Sequence, residues 1–258
     1  MWTIYPLDVG DCEQDRSEMV FRQGMGQRVT ERFLAWYLTD GTTHVMVDTG
    51  PPAEAHSQHW HPYNNPKISD RQQVPAALAQ HGVRPEDIRL LILTHLHWDH
   101  AGNMGLFPNA DFVVSHDELA YAIDPLPMHY IAYESPQIGL TPAFLTVMPR
   151  IRTISMREQE LLPGLLVLPT PGHTPGCISL VVTTTDGPYV ITGDAVGCYK
   201  NFEGDPARKL PYRPTGIFTD LFAMWNSMAL IQAKALFKLD HILPGHESKV
   251  LQRRSYPG

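Results

Sequence analysis

The sequence is poor in the features that would tie it to a membrane, a nucleic acid or an oxidising compartment. No segment approaches the ~20 consecutive apolar residues that a bilayer-spanning helix needs. The start, "MWTIYPLDVGDCEQDR", has no basic stretch followed by an apolar run of the kind that directs secretion. These absences predict a cytoplasmic protein without membrane attachment. Lysine and arginine form no cluster and are outnumbered by acidic residues, giving a formal charge of -7. Phosphate binding draws on clustered positive charge, so a nucleic-acid partner is not expected. Three cysteines, Cys12, Cys177 and Cys198, are too few and too odd in number for a disulfide framework and are expected to be reduced. No repeat of fixed period, Ser/Gly linker or low-complexity tract divides the chain. With 258 residues, 43% of them hydrophobic, it is long enough for one large core, and a single globular domain over 1–258 is expected.

What the sequence does contain is β-type runs in both halves: Thr3–Val9, Phe33–Leu38, Thr43–Asp48, Leu90–Thr94, Asp111–Ser115, Leu165–Pro169, Ile178–Val182 and Tyr189–Thr192. Helical spacing appears over Gln72–Gln80, Asp117–Ile123 and Phe218–Lys238. The expected architecture is therefore α/β, two sheets with helices outside. Four segments rich in Pro, Gly, Asn or Asp read as loops: Gly10–Thr30, Pro51–Arg71, Asp124–Arg150 and Lys200–Thr215. Long loops in a compact domain usually serve function. The third of them also mixes Tyr, Phe, Met, Ile and Leu, which suits either an apolar substrate wall or the contact surface of a homodimer.

Directly behind an apolar run, "LLILTHLHWDHAGN" packs His95, His97, Asp99 and His100 into six residues. Residues two apart on an extended chain point the same way, so His95, His97 and Asp99 share one side and His100 faces another; His95 and His97 can grip one metal ion while Asp99 and His100, at the turn into the next helix, reach a second. Taken alone, such a cluster equally describes a histidine-rich surface. Three further segments have the same form, a ligand-type residue in a tight turn after an apolar strand: "LLVLPTPGHTPG" with His173, "YVITGDAVG" with Asp194 and "DHILPGHES" with His246. Their Gly and Pro neighbours let the backbone turn sharply. If the strands end on one edge, five histidines and two aspartates converge there. Burying so many polar groups is costly unless a metal compensates. Imidazole and carboxylate donors suit Zn and also Mn, Fe or Co, zinc being the first choice.

The pieces HLHWDH, PGHTPG, GDA and PGHE together resemble the metallo-β-lactamase superfamily, from the DTG turn at Asp48–Gly50 to Glu247. The resemblance implies a four-layer αβ/βα sandwich with a dinuclear site at one edge. It implies that His95, His97 and His173 hold one metal ion, that Asp99, His100 and His246 hold the other, and that Asp194 bridges them. Asp48 resembles the residue that orients a ligand histidine from behind, against the plainer role of a polar turn residue. Cys198, beyond the bridging position, is expected to be a packed thiol.

Two adjacent divalent cations activate water and polarise a carbonyl or phosphoryl oxygen, so the expected chemistry is hydrolysis. Redox members resemble HxExD at the first cluster, whereas this chain has His97 in place of the Glu. Glyoxalase-type thioesterases add a helical C-terminal domain, and only a short tail follows His246. Nuclease members need basic surface. Within the superfamily the chain is most similar to the N-acyl homoserine lactonases and related small-lactone hydrolases. That resemblance implies a small-molecule substrate, a lactone opened by attack of a metal-bridging hydroxide, with Asp99 shuttling the proton. Other small esters, thioesters, cyclic amides or phosphodiesters are the enzymatic alternative, and a non-catalytic binding module the alternative outside enzymes. The lactonases often carry a tyrosine three residues after the bridging aspartate; this chain has Gly197 there. Tyr199 is the nearest replacement as a catalytic hydrogen-bond donor, with Tyr212 or His129 behind it. Among the remaining histidines, the "HSQHWH" group at His56–His61 is the one placed to touch substrate.

Overall fold

Six consecutive apolar residues, Phe33 to Leu38, are all buried, which a strand achieves only when both of its faces are covered. They lie in β2 (Arg28–Thr39), next to β1 (Thr3–Asp15). In the computed structural model, which describes residues 1–257, β1 and β2 open a six-stranded sheet. It continues in chain order through β3 (His44–Val47), β4 (Leu90–Ile92), β5 (Asp111–Ser115) and β6 (Ile151–Ile154). The first two pairings are antiparallel and the next three parallel. Parallel neighbours need crossovers. The helices α2 (Glu54–Trp60), α3 (Val74–Ala79), α4 (Trp98–Ala101), α5 (His116–Ile123) and α6 (Ala143–Thr146) lie in them, while α1 (Arg16–Met19) joins β1 to β2. Phe33, Ala35 and Tyr37 pack with Leu78, Ala101, Ala122 and Phe144 from the helical layer.

The other face of β2 carries Leu34, Trp36 and Leu38 against a second, five-stranded sheet. It has the order β11-β10-β9-β8-β7: Ile242–Leu243, Gly187–Ile191, Ile178–Thr184, Leu165–Pro169 and Gln159–Leu162. Val167, Leu180, Val182, Tyr189 and Ile191 meet the first sheet, while Leu168, Val181 and Val190 face α7 (Leu221–Lys234) through Met228 and Ile231. The layers are thus helix, sheet, sheet, helix, as the resemblance implied. No helix among the described residues is long and apolar enough to cross a membrane.

The departures from the sequence reading have identifiable causes. Gly10–Thr30 is largely a hairpin extension rather than a loop: Asp11–Asp15 pair with Arg28–Arg32 beyond a bulge at Asp8/Gly10. Its inward positions are Cys12 and Gln14, and a glutamine does not register as an apolar phase. Pro51–Arg71 contains α2, and Asp124–Arg150 contains α6 with several 3₁₀ turns. Short β6, β7 and β11 carry too few residues to show a period. α7 is shorter than Phe218–Lys238: the Asp220 carboxylate caps it by accepting from the Phe222 and Ala223 amides, and Leu236 and Phe237 leave it in left-handed conformations.

Trp36, 1% exposed between the sheets, tests this layering. Trp36→Ala should cost about 3–5 kcal/mol in chemical denaturation, whereas Phe222→Ala, 84% exposed, should stay within about 0.5 kcal/mol.

Candidate metal centre

Strands β3, β4, β8, β10 and β11 run out at the same edge of the sandwich, and each is followed by a tight segment. These segments deliver Asp48, His95, His173, Asp194 and His246; Asp99 and His100 come from α4, which opens directly after His97. The helix starts within the motif, so the alternation of an extended chain ends at His97 and Asp99 does not join His95 and His97. Three groups of donors lie within 4.8 Å of one another: His95, His97 and His173; His95, His100 and Asp194; and Asp99, His100 and His246. The seven residues singled out from the sequence are therefore brought together.

Their inward atoms face one another. Asp194 Oδ1 stands 3.2 Å from Nε2 of both His100 and His246, and its Oδ2 is 3.5 Å from His173 Nε2. Asp99 Oδ2 is 3.7 Å from the same His100 and His246 nitrogens. His97 presents Nδ1, 3.0 Å from His173 Nε2. Four of the rings are held from behind. His173 Nδ1 donates to the Ile217 carbonyl at 2.9 Å and His246 Nδ1 to the Arg32 carbonyl at 2.8 Å. His100 Nδ1 donates to Asp48 Oδ2 at 2.9 Å. His95 Nδ1 lies 3.1 Å from the Thr94 hydroxyl, which itself donates to Asp48 Oδ2 at 2.8 Å. Each contact fixes the ring so that Nε2 points inward.

Asp48 is 1% exposed, sits at φ +59° and also accepts from the Thr94 amide at 2.8 Å. It acts on two of the histidines, so it is more than a polar turn residue. A non-glycine residue in the left-handed region carries local strain. Here the three contacts to its carboxylate hold it in place.

Burial and neighbouring imidazoles push His95 and His97 well below the usual histidine range. Burial acts the same way on His100, but Asp194, Asp99 and Asp48 outweigh it and raise its pKa well above ordinary. Asp194 does the same for His246. Burial would raise Asp194 itself, yet His246, His100 and His173 hold it well below the carboxylate range. His95 Nε2, His100 Nε2 and Asp194 Oδ1 are buried without a hydrogen-bond partner. Ligand-type atoms left unpaired in one small volume are what a cation satisfies, so the residues present fit divalent metal ions.

A buried carboxylate outside the motif holds the centre's frame. Glu118, 0% exposed on α5, accepts from the Leu96 amide (2.9 Å), the Tyr133 hydroxyl (2.9 Å) and the Thr174 hydroxyl (2.6 Å). It ties the His95–His100 segment to the His173 loop, and burial raises its pKa. A Cβ at Gly176 would collide with the Glu118 backbone, and one at Gly245 would stand 2.6 Å from Asp194 Oδ1, so both loops need glycine there. Tyr133 also packs its ring 4.7 Å from His97, making the 124–150 segment a wall of the centre. Nothing in "SHDELA" distinguishes this glutamate from a solvated helical one.

Other expected residues fall elsewhere. Tyr199 packs against the inter-sheet cluster, near Tyr256 and Glu247, and does not line the cavity at the centre. The chain curls after Asp194 so that Gly197, not Tyr199, faces that cavity, which removes Tyr199 as a catalytic donor. Tyr212 donates its hydroxyl to the Trp225 carbonyl. His129 is half-buried with Nδ1 2.6 Å from the Tyr121 hydroxyl. In the "HSQHWH" group, His56 and His61 both contact Glu134 Oε1, at 2.8 and 3.1 Å, and His61 stacks on Trp98 at 3.7 Å. That group braces α2 and the 124–150 segment behind the motif. Cys12, Cys177 and Cys198 are buried and unpaired, the Cys198 thiol pushed up to about 12 by burial.

Two face-to-face sheets between helices, with a His/Asp centre at one edge, define a class of fold built around metal-ion chemistry. The chain belongs to the metallo-beta-lactamase superfamily, whose family model matches residues 34–246. It is similar to an N-acyl homoserine lactonase of Bacillus sp, 29% identical over 212 residues that cover 78% of this chain and 79% of the relative. An N-acyl homoserine lactonase of Agrobacterium fabrum is 27% identical, with 95% of this chain and 93% of the relative covered. Among solved structures, an N-acyl homoserine lactone hydrolase with N-hexanoyl-L-homoserine bound at its catalytic metal center superposes with a TM-score of 0.77 at 24% identity, over 99% of this chain and 98% of that one.

Removing the Glu118 carboxylate leaves three buried donors unpaired. Glu118→Leu is expected to destabilise by at least about 3 kcal/mol in urea unfolding, while the exposed neighbour Asp117→Ala should stay within about 1 kcal/mol.

Proposed function

We propose that the protein is a dinuclear metal-dependent hydrolase that opens small lactones, N-acyl homoserine lactones first among them, and so acts as a quorum-quenching enzyme. The observation that carries this is the complete set of seven inward donors, with four imidazoles oriented from behind, in a chain similar to lactonases along most of its length. His95, His97 and His173 would hold one ion, and Asp99, His100 and His246 the other. Asp194, with one oxygen toward His100 and His246 and the second toward His173, would reach both. The donor types suit zinc, with Mn, Fe or Co served by the same chemistry. Divalent ions held there supply Lewis acidity and a water activated at neutral pH.

The chain's own groups then do the following. Asp48 and the Ile217 and Arg32 carbonyls hold the ligand rings with Nε2 aimed inward. Asp99, its side chain 11% exposed, is placed to pass a proton to the departing ring oxygen. Met19 and Ile217 line the small cavity beside the centre, of about 20 Å³, together with Gln14 and Glu18. The charge of -7 supports a small molecule rather than a nucleic acid, and the three unpaired thiols support a reducing, cytoplasmic setting.

Elemental analysis of the purified protein should find close to two transition-metal ions per chain, and exhaustive chelation should abolish turnover. Asp194→Ala should lose more activity than loss of any one histidine, because both ions lose a ligand. Asp48→Ala should weaken metal binding about 10–100-fold in competition with a chelating dye.

A pH-stat assay over acyl homoserine lactones, γ- and δ-lactones, thioesters, β-lactams and bis(p-nitrophenyl) phosphate checks the substrate class. Lactones should be fastest; faster phosphodiester turnover would refute the lactonase assignment. Tyr199→Phe should leave kcat and KM within about twofold, since its ring lies among the inter-sheet residues.

A further inference from the structure

With Tyr199 and Tyr212 directed elsewhere, the hydrogen-bond donors on the substrate side of the centre can be counted. The cavity there is lined by Gln14, Glu18, Met19, His173, Asp194, Gly197, Thr215, Ile217 and His246. Thr215 spends its hydroxyl on the Ile217 carbonyl, and His173 and His246 spend their Nδ1–H groups on main-chain carbonyls. Gly197 has no side chain, and a Cβ there would already stand 3.1 Å from Met19 Cε and 3.3 Å from Thr215 Cγ2. Glu18 brings a carboxylate, an acceptor, already engaged by the Asp15 amide.

Gln14 is different. It lies in the extended part of β1, on the inward face two residues beyond Cys12. It is only 7% exposed, yet neither end of its carboxamide makes a hydrogen bond in the structure. The carboxamide atoms are not fully enclosed, so with no protein partner they are free to bond a group that enters the cavity. The side chain lines the same cavity as Asp194, His173 and His246.

We propose that the Gln14 carboxamide is the donor to the carbonyl oxygen of the bound substrate, holding it beside the metal centre as negative charge develops on that oxygen. The proposal rests on the hydrolase reading above and adds to it a substrate-contacting residue that no histidine or aspartate motif contains. A preorganised N–H aimed at such an oxygen stabilises the transition state more than the ground state.

The test uses the full-length, zinc-loaded protein and two variants, Gln14→Leu and Gln14→Glu, with zinc content and Tm measured for each. On γ-butyrolactone and on N-hexanoyl homoserine lactone, Gln14→Leu should lower kcat about tenfold with KM within about twofold. Gln14→Glu keeps the shape but replaces the donor with an acceptor, so it should lose more than Gln14→Leu. In 15N-labelled protein, the side-chain amide signals that vanish in Gln14→Leu should shift when the ring-opened product N-hexanoyl-homoserine is added. Wild-type kcat in Gln14→Leu, a loss confined to KM, or unmoved Gln14 signals while neighbouring signals shift would each overturn the proposal. If the wild-type protein opens no lactone, the lactonase reading fails by itself, and the same variants are compared on p-nitrophenyl acetate. There a kcat loss of the same order upholds the donor role, and unchanged turnover removes it.

Discussion

Seven donor side chains crowded at one sheet edge repel one another and resent the loss of water, and much of the surrounding structure acts against that tendency. Each of four imidazoles is committed on its outer nitrogen, to Asp48, Thr94 or a main-chain carbonyl, so its inner nitrogen has no alternative but the shared volume. Asp48 orients two of them at once, directly through His100 and through the Thr94 hydroxyl for His95. The result is a preorganised set whose electrostatics are unbalanced by design: some rings are driven neutral by burial, others are drawn toward protonation by Asp194 and Asp99. A divalent cation resolves both conditions together, replacing protons on the second group and satisfying the lone pairs of the first.

The sandwich makes this crowding tolerable by separating the work of cohesion from the work of the site. Apolar contact between the two sheets, around Trp36, Val182 and Tyr189, holds the strands without any contribution from the polar edge. The loops that leave those strands are then free to be short, strained and glycine-dependent. Glu118 connects two of them from inside the helical layer, which is why a single carboxylate far from the motif in sequence governs the spacing between the His95–His100 segment and the His173 loop.

The substrate side is built from different material. The β1–β2 hairpin extends past the sheet and brings Gln14, Glu18 and Met19 over the centre, while the 124–150 segment contributes Tyr133 and braces itself through Glu134 on His56 and His61. None of these residues belongs to the metal-ligand pattern. The same donor set can therefore serve different substrates in different chains, according to what the hairpin and this segment present to the cavity.

Much of this was legible before folding. The ligand types, their order and their position after apolar strands are local properties, since a strand followed by a Gly- or Pro-marked turn is written in neighbouring residues, and the four-layer architecture was implied by the resemblance those pieces carry. The sequence by itself thus determined the class of fold and the donors at its edge. Only the tertiary structure decided that Glu118 and Thr94 support the donors, and that Gly197 and Gln14 rather than Tyr199 face the cavity. Those outcomes depend on contacts between residues tens to hundreds of positions apart. Whether a polar side chain is buried, and what it then meets, is set by the packing of distant segments and leaves no periodic trace along the chain.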